Sequence, residues 1–369
     1  MRHALHSTLD HLLAPETLTN LSGVPVASVT VAPLVAGHSA SGSKLSLVTA
    51  NDGHGPTFVL KQISLAWDWI MRATLDHQGR EVVIWRTGFL DDLPPEITHA
   101  VLACATDGAG WALLMRDMTA AVYPPRNTKL GFPITDEENQ ALLGALAALH
   151  AQHWNRPQAL DPTLGFCRPG PRFSALSAGV AAREHATDAP YLECMRQGWA
   201  DLPRLIDPSL AQTIRALSND PQPLAAAHRH FPMTAIHGDP RPPNVGFVRR
   251  ANGTLRVLLY DWQFAGPGWA TTDLAWYLYC ASACDAIQID PAITLYRAAL
   301  AERLGARFDP AWWEPLLALG LLGQFVRCAH DVAWCANHGP MEARGWARRS
   351  LDWWSARAIE GLRVLNALA

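Results

Sequence analysis

The chain has 369 residues, a formal net charge of −3, and 49% hydrophobic residues. This length exceeds what one small core needs and predicts two domains or lobes. The sequence contains no long basic run, which argues against a nucleic-acid partner because phosphate binding leaves a cationic footprint.

The cysteine pattern and the apolar segments predict a cytoplasmic protein that does not cross a membrane. Seven cysteines are spread widely and are odd in number, which favours a reducing compartment over a disulfide framework. The first residues lack the apolar core of a signal peptide. The longest apolar stretch, at 315–326, is too short to span a bilayer.

The first 118 residues predict an antiparallel sheet that carries one helix, after a helical lead-in over residues 1–21. The helix is expected at about 68–89. Alternating or β-branched runs between turn-forming clusters predict strands at 27–35, 44–50, 57–63, 96–105 and 110–118.

Beyond residue 118 the pattern becomes helical. Thr135 and Glu138 have capping-box spacing at the start of a predicted helix, and 311–326 reads as a buried helix. We therefore predict an N-terminal nucleotide-binding lobe over 1–118 and a C-terminal catalytic and substrate-binding helical lobe over 119–369.

A predicted hairpin brings three polar residues together. Strand-like runs at 245–248 and 255–260 flank an Asn-Gly pair, a strong short hairpin signal. Asn244 precedes the first strand, Asp261 follows the second, and Asp239 lies just ahead of the first. Because a hairpin brings its two ends together, two carboxylates and one amide should share one mouth.

These side chains suit phosphoryl transfer. Mg²⁺ prefers one or two carboxylates together with substrate phosphates. Asp239 lies slightly apart from the other two residues and is placed to accept a proton from an alcohol. A base, metal ligands and a cation near the γ-phosphate are what the reaction requires, and the prolines of this loop would hold it in position.

"HGDPRPPN" followed by "YDWQ" resembles the catalytic and metal-binding motifs of the aminoglycoside phosphotransferase superfamily. That group includes choline-kinase-like and ecdysteroid-kinase-like branches, and this form is closest to the latter. The resemblance implies Asp239 as the catalytic base and Asn244 and Asp261 as Mg²⁺ ligands. It also implies Arg241 as a cation near the γ-phosphate of ATP.

The resemblance further implies a bilobal protein-kinase-like α+β fold, with a small antiparallel β lobe and a larger helical lobe. Such a fold needs a lysine on the third strand and a glutamate on the following helix. Lys61, one of only three lysines, and Glu81 stand at these places. His237 and Asp273 are expected to brace the catalytic loop.

The nucleotide contacts follow from the same resemblance. Leu114, Met115 and Arg116 resemble the strand-to-hinge segment that borders adenine. Gly37 and Gly42 lie in "GHSASG", a weak version of the glycine-rich loop that covers the phosphates in such kinases.

The acceptor is expected to be a small-molecule alcohol. Only eleven residues separate Asp261 from Asp273, too few to hold a peptide. Residues 290–369 hold eight acidic residues and nine arginines, so they show no acidic bias for a polycation. Nine of the 15 tryptophans follow Asp261, which favours a neutral, partly hydrophobic acceptor.

The prediction is therefore an ATP- and Mg²⁺-dependent small-molecule O-kinase. The alternatives are an aminoglycoside acceptor, a catalytically silent nucleotide-binding module, and a scaffold that assembles through its C-terminal aromatic helices. A zinc site near Cys328 and Cys335 is disfavoured, since the spacing fits no common zinc pattern.

Overall fold

The computed structural model describes residues 1–34, 41–118, 120–121, 134–156, 160–161, 164–184, 190–282 and 287–369. It confirms the bilobal α+β arrangement, an antiparallel N-terminal sheet followed by a mostly helical part. The lobe boundary at residue 118 stays a prediction.

The N-terminal sheet has five antiparallel strands in the order β1-β2-β3-β6-β5. Its strands are β1 (Val29–Pro33), β2 (Lys44–Ala50), β3 (Thr57–Ile63), β5 (Val101–Asp107) and β6 (Gly110–Arg116). Two short helices, α1 (Leu9–Leu12) and α2 (Pro15–Ser22), precede it. The strands lie close to their predicted positions because one face of the sheet packs on the core and gives the alternation that the sequence shows.

The predicted strand over 96–105 is wrong as a single element. β4 (Ile97–Thr98) pairs in parallel with β9 (Leu255–Leu259), in a three-stranded sheet of the C-terminal region. The chain then changes sheets before β5 begins. A local pattern cannot reveal this change, because both pieces are equally strand-like and only long-range pairing separates them.

The predicted single helix over 68–89 is also wrong. The chain forms α3 (Trp69–Ala73) and α4 (Arg80–Thr87) instead. Leu75 has φ +55° and Gly79 has φ +66°, left-handed conformations that a continuous helix does not accommodate. The carboxylate of Asp76 accepts hydrogen bonds from the Arg80 backbone nitrogen at 2.8 and 2.9 Å, and so helps to start α4 anew.

The C-terminal region is built from helices around a long central pair. The helices in chain order are α5 (Asp136–Gln152), α6 (Pro169–Ser174), α7 (Ala178–Arg183), α8 (Pro190–Leu205), α9 (Pro208–Asn219), α10 (Gln222–Ala227), α11 (Ala270–Ala281), α12 (Ile289–Leu304), α13 (Pro310–His338) and α14 (Met341–Ala367). The predicted capping box of Thr135 and Glu138 is present at the start of α5.

Helix α13 is long and apolar enough to cross a membrane by length and composition alone, but 89% of its most apolar window is buried inside the protein. It packs against α14 and α8. The predicted buried helix at 311–326 is its first half.

Two small sheets hold the polar loops in place. β7 (Thr234–Ile236) pairs with β10 (Gly266–Gly268), while β8 (Val245–Arg249) and β9 form the predicted hairpin. The segment between β7 and β8 and the segment after β9 therefore start from fixed strand ends.

Candidate active site

Lys61 on β3 binds two carboxylates, and the one on Asp261 connects it to the C-terminal lobe. Its side chain is only 9% exposed. The Nζ atom donates to Glu81 Oε2 at 2.6 Å and to Asp261 Oδ1 at 2.7 Å. Burial lowers the pKa of Lys61, but the two carboxylates raise it by more, so the ammonium stays charged. The predicted lysine–glutamate pair is thus formed, and it includes Asp261.

Both carboxylate oxygens of Glu81 on α4 accept hydrogen bonds, Oε2 from Lys61 and Oε1 from the chain next to Asp261. Oε1 accepts a hydrogen bond from the backbone nitrogen of Trp262 at 3.1 Å, so α4 also grips the residue after Asp261. Burial raises the pKa of Glu81 to about 7, against the attraction of Lys61. The pKa of Asp261 is lowered, because Lys61 outweighs the effect of burial. Lys61 and Arg241 both favour the ionised form of Asp261.

Asp261 stands where the chain leaves β9, and its backbone is left-handed with φ +64°. Aspartate tolerates this conformation better than most residues with a side chain. Its second oxygen, Oδ2, accepts from Gln263 Nε2 at 3.2 Å. The unusual backbone turns the chain sharply between the strand and the helical turn Trp262–Phe264.

The loop before β8 carries the predicted base. Asn244 Nδ2 donates to Asp239 Oδ2 at 2.8 Å and to the Asp239 carbonyl at 3.1 Å. Arg241 Nε lies 3.4 Å from the same Oδ2, an ion contact rather than a hydrogen bond. The other oxygen, Asp239 Oδ1, is buried and has no hydrogen-bond partner among the described residues.

Burial sets the protonation of Asp239. The residue is 2% exposed. Burial raises its pKa to about 6, while Arg241 and Arg327 act in the opposite direction. A buried carboxylate oxygen without a partner is costly unless something fills the place beside it. The chemistry of this atom therefore fits a group that donates a hydrogen bond, such as an alcohol.

Backbone hydrogen bonds brace the loop from below. Asp273 on α11 accepts from the backbone nitrogens of His237 at 2.8 Å and Gly238 at 2.7 Å. The ring of His237 accepts from the Asp239 backbone nitrogen at Nδ1, so Nε2 is the protonated nitrogen and donates to the Tyr260 carbonyl at 3.2 Å. Burial lowers the pKa of His237, which keeps this neutral form.

The prolines tighten the same loop. Pro242–Asn244 form one turn of 3₁₀ helix, and the Asn244 backbone nitrogen donates to the Arg241 carbonyl at 2.7 Å. Proline has no backbone N–H, so these positions leave no donor to be satisfied in a buried loop. The loop is therefore short and stiff between Asp239 and Asn244.

The predicted adenine segment lies at the end of β6. Leu114 is buried, Met115 half-buried and Arg116 exposed. β6 runs between β3 and β5, and the Arg116 backbone nitrogen donates to the Ala100 carbonyl at 2.8 Å. The sheet thus occupies the backbone here, and the chain leaves it from Asp117 onward.

Of the two predicted loop glycines, Gly37 lies outside the described residues. Gly42 has φ +94°, and a Cβ there would lie 2.5 Å from the carbonyl oxygen of Trp67. Its neighbours Ser41 and Ser43 donate to Asp68 Oδ2 at 3.2 and 2.6 Å. Gly42 is therefore required for the close approach of this loop to the turn before α3.

Sequence reasoning missed Arg327, whose side chain donates a hydrogen bond to the Gly238 carbonyl next to the predicted base. It lies in the middle of α13, just beyond the apolar run at 311–326. The signal was available, since a single arginine follows "GQFV" in a helix that is otherwise buried on this stretch.

The donor set fits a hard cation that shares phosphate oxygens. Asp261 offers a carboxylate and Asn244 an amide oxygen, since the Asn244 nitrogen faces Asp239. No group of three or more His, Cys, Asp or Glu side chains suited to a metal occurs in the described part of the chain. A cation held here would need further oxygens, which is how Mg²⁺ binds alongside phosphates.

Comparison with protein-family models places most of these residues in one family. Residues 47–316, which include every predicted site residue except those of the 37–42 loop, match the model of a family described as a phosphotransferase enzyme family. A comparison with curated proteins finds no match.

A solved structure shares the fold at low identity. The ethanolamine kinase of Plasmodium vivax is 11% identical, with a TM-score of 0.51 over 89% of this chain and 83% of that one. The choline kinase of Cryptosporidium parvum Iowa II is 12% identical, with a TM-score of 0.46 over 92% of each chain.

Proposed function

The chain belongs to the phosphotransferase enzyme family, and on that premise we propose that it moves the γ-phosphate of ATP, with Mg²⁺, to a hydroxyl of a small neutral or partly hydrophobic molecule. The observation that carries the proposal is the meeting of Lys61 with Glu81 and Asp261 at 2.6 and 2.7 Å. Asp239 and Asn244 lie on the adjoining loop.

In this proposal Asn244 and Asp261 hold the metal ion. When bound, Mg²⁺ neutralises the charge of the phosphates and helps to orient them. Lys61 supplies a permanent cation to the same phosphates, and Glu81 fixes the direction of its amine. Lysine suits this place because its ammonium is a compact charge.

Asp239 accepts the proton of the attacking hydroxyl at Oδ1. Asn244 already occupies Oδ2, so the two oxygens of the carboxylate differ in what they can receive. Arg241, whose side chain is 35% exposed, lies beside the carboxylate and is proposed to face the transferred phosphate. A rigid base and a nearby cation supply positioning and electrostatic stabilisation, the two main contributions in this chemistry.

The nucleotide is proposed to lie under the N-terminal sheet. The purine borders the Leu114–Arg116 segment and the backbone that follows it. The loop that contains Gly42 covers the phosphates.

The acceptor side supports a neutral molecule. Tyr191 and Cys280 lie within electrostatic reach of Arg241. Asp331 on α13 also neighbours Arg241, but it accepts a hydrogen bond from the Tyr279 hydroxyl at 2.6 Å, and burial raises its pKa. A tyrosine, a thiol and a hydrogen-bonded carboxylate around Arg241 favour an alcohol with apolar parts over a polycation.

Nucleotide-consumption assays with a panel of alcohols test the proposal. Sterol-like, macrolide, sugar, amino-alcohol and aminoglycoside acceptors are each mixed with ATP and Mg²⁺, and the phosphorylated product is identified by mass. Turnover of a neutral, partly hydrophobic alcohol is expected. Turnover confined to aminoglycosides would overturn the acceptor class, and no transfer to any alcohol would favour the silent module.

Asp239→Asn gives the decisive variant, with the exposed Asp10→Asn as its control. Removing a general base lowers the rate by roughly 10²- to 10⁴-fold. We expect that loss in Asp239→Asn with the Mg²⁺·ATP thermal shift retained, while Asp10→Asn matches the parent. A thermal shift absent from the parent at millimolar nucleotide would favour the scaffold.

A further inference from the structure

Arg327 lies deep in the helical lobe, directly behind the loop that carries Asp239. The residue is 2% exposed. Its Nη1 donates to the carbonyl of Gly238 at 2.9 Å. Its guanidinium carbon lies 4.2 Å from the ring centre of Phe264 and 3.9 Å from that of Trp276. Two aromatic rings therefore keep the guanidinium from turning away from the loop.

The backbone of Gly238, the partner of Arg327, is restrained at its N–H, at its carbonyl and at its Cα. Its N–H donates to Asp273 at 2.7 Å and its carbonyl accepts from Arg327. Its φ is +83°, and a Cβ there would lie 2.4 Å from the Phe264 carbonyl oxygen. The peptide between Gly238 and Asp239 begins at this carbonyl, so the hydrogen bond from Arg327 fixes the plane from which the Asp239 side chain starts.

A purely structural arginine in the same lobe looks different. Arg172 on α6 is 1% exposed, and its three nitrogens donate to the carbonyls of Phe264, Pro267 and Cys167 at 3.1, 2.9 and 2.7 Å. Arg327 makes one such bond, and its Nε and Nη2 are buried without a partner among the described residues.

Burying a guanidinium with unsatisfied donors is unfavourable for stability, and an apolar residue of similar volume would usually serve packing at least as well. The arginine on α13 is therefore poorly explained by stability alone. Its hydrogen bond to Gly238, the residue before Asp239, points to a role in catalysis instead.

We propose that Arg327 is a positioning residue of the phosphotransfer reaction, which holds the Gly238 carbonyl so that Asp239 faces the acceptor hydroxyl. It touches neither substrate and acts through the loop. The inference rests on the proposed function, because a position for Asp239 matters to turnover only if Asp239 is the base.

The kinetic test compares Arg327→Met and Arg327→Lys with Arg172→Met in the full chain. A misplacement of about 1 Å costs on the order of 10²-fold in rate. We expect kcat per folded molecule to fall by about that factor in Arg327→Met, with KM for ATP within about twofold of the parent. Arg327→Lys should recover part of kcat, since an ammonium also donates to a carbonyl. Equal kcat losses in Arg327→Met and Arg172→Met, or a rise of KM for ATP that matches the fall in kcat, would overturn the proposal.

Chemical rescue adds a readout that packing alone does not move. Arg327→Ala leaves a slot between Phe264 and Trp276 in which added guanidinium can lie. Millimolar guanidinium should raise kcat of Arg327→Ala several-fold and leave Arg172→Ala unchanged. No rescue, or rescue of both variants, counts against a specific contact at Gly238.

Hydrogen exchange separates this inference from the proposed function. In the full chain, the amides of Gly238 and Asp239 should exchange faster in Arg327→Met than in Arg172→Met, whether or not an acceptor has been found. Unchanged exchange would overturn the positioning role even if the parent is an active kinase. Faster exchange in a chain that transfers no phosphate would instead support the contact between Arg327 and Gly238 and contradict the proposed function.

Discussion

The two halves of the candidate site are held by different forces. Lys61, Glu81 and Asp261 form an ion triad that joins the lobes, and each member depends on the charge of the others. The loop from His237 to Asn244 is held through its backbone, which bonds to Asp273 and Arg327, and by a neutral imidazole and prolines. Loss of one charge therefore leaves another member of the triad unpaired. The position of the loop depends more on its backbone shape and on the protonation of His237.

Lys61→Met should have the largest effect, because it leaves two carboxylates without their common counterion. Removing one partner of a buried ion pair costs about 3–5 kcal/mol, and loss of a cation at the phosphates costs about 10²- to 10³-fold in kcat. Denaturant unfolding and steady-state kinetics measure the two losses.

Lys44→Met is the matched control for Lys61→Met. Lys44 lies on the neighbouring strand with its Nζ 4.1 Å from the Trp67 ring centre, and it is exposed. We expect a loss below about 1 kcal/mol there. The double variant Lys61→Met with Glu81→Leu should regain stability but not activity. A Lys61→Met protein with parental turnover would contradict the role of the triad.

Gly238→Ala should have the next largest effect, through shape alone. The new Cβ would meet the Phe264 carbonyl oxygen at 2.4 Å, at a residue with φ +83°. Strain of this kind costs on the order of 1–3 kcal/mol, and kcat should fall as the loop shifts. Gly253→Ala separates strain from collision, because Gly253 has φ +84° and nothing within 4 Å of its would-be Cβ. If the two variants lose the same stability, close contact with Phe264 is not what fixes the loop.

A moderate effect of pH on stability is expected, because His237 of the loop and Asp261 of the triad titrate over different ranges. The pKa of His237 is lowered from 6.5, so the unfolded chain takes up the proton first. Its contribution is therefore present above pH 6.5 and is lost as the pH falls below that value. The pKa of Asp261 is lowered from 3.8, so its contribution is lost only as the pH falls below that range. On acidification the contribution of His237 should thus be lost before that of Asp261.

His237→Asn measures this share of the pH dependence. An asparagine oxygen can accept from the Asp239 backbone nitrogen but does not titrate near neutrality. The free energy of unfolding should fall less steeply between pH 6.5 and 5 in this variant than in the parent. His228 and His330 have pKa values lowered to about 3 by burial and keep part of the slope in both proteins. An unchanged slope would argue that His237 is not held neutral by the fold.

The smallest effect is expected at a second ion pair between the N-terminal and helical regions. Arg72 donates to Glu184 at 2.6 Å, with side chains 31% and 14% exposed. The pair is bidentate but partly open to solvent, so Arg72→Ala should cost about 1 kcal/mol and less in high salt. Arg249→Ala, which removes an exposed pair with Glu137, is the control. A loss as large as that of Lys61→Met would mean that this pair contributes as much to stability as the ion triad does.

The sequence predicted the elements whose causes are local. Alternation placed the strands of the first sheet, and Asn-Gly placed the hairpin that joins Asn244 to Asp261. Two failures share a non-local cause. The piece at Ile97 belongs to a sheet whose other strands lie far along the chain, and the helix break near Leu75 reflects backbone conformations that propensity does not record.

The candidate site divides in the same way. The motif and the rarity of lysine identified Lys61, Asp239 and Asp261. Arg327 escaped because a single arginine in a buried helix belongs to no motif and does not reveal that its partner is the Gly238 carbonyl. The short distance from Lys61 to Asp261 depends on how the two lobes meet, and no period or spacing in the sequence predicts that.

The left-handed backbone at Asp261 limits how the protein can diverge. Side chains branched at Cβ or bulky there would strain the turn after β9, whereas glycine and asparagine share the tolerance of aspartate. A related protein that kept this fold but lost phosphotransfer should therefore carry glycine or asparagine at position 261. This single position then distinguishes active relatives from inactive ones.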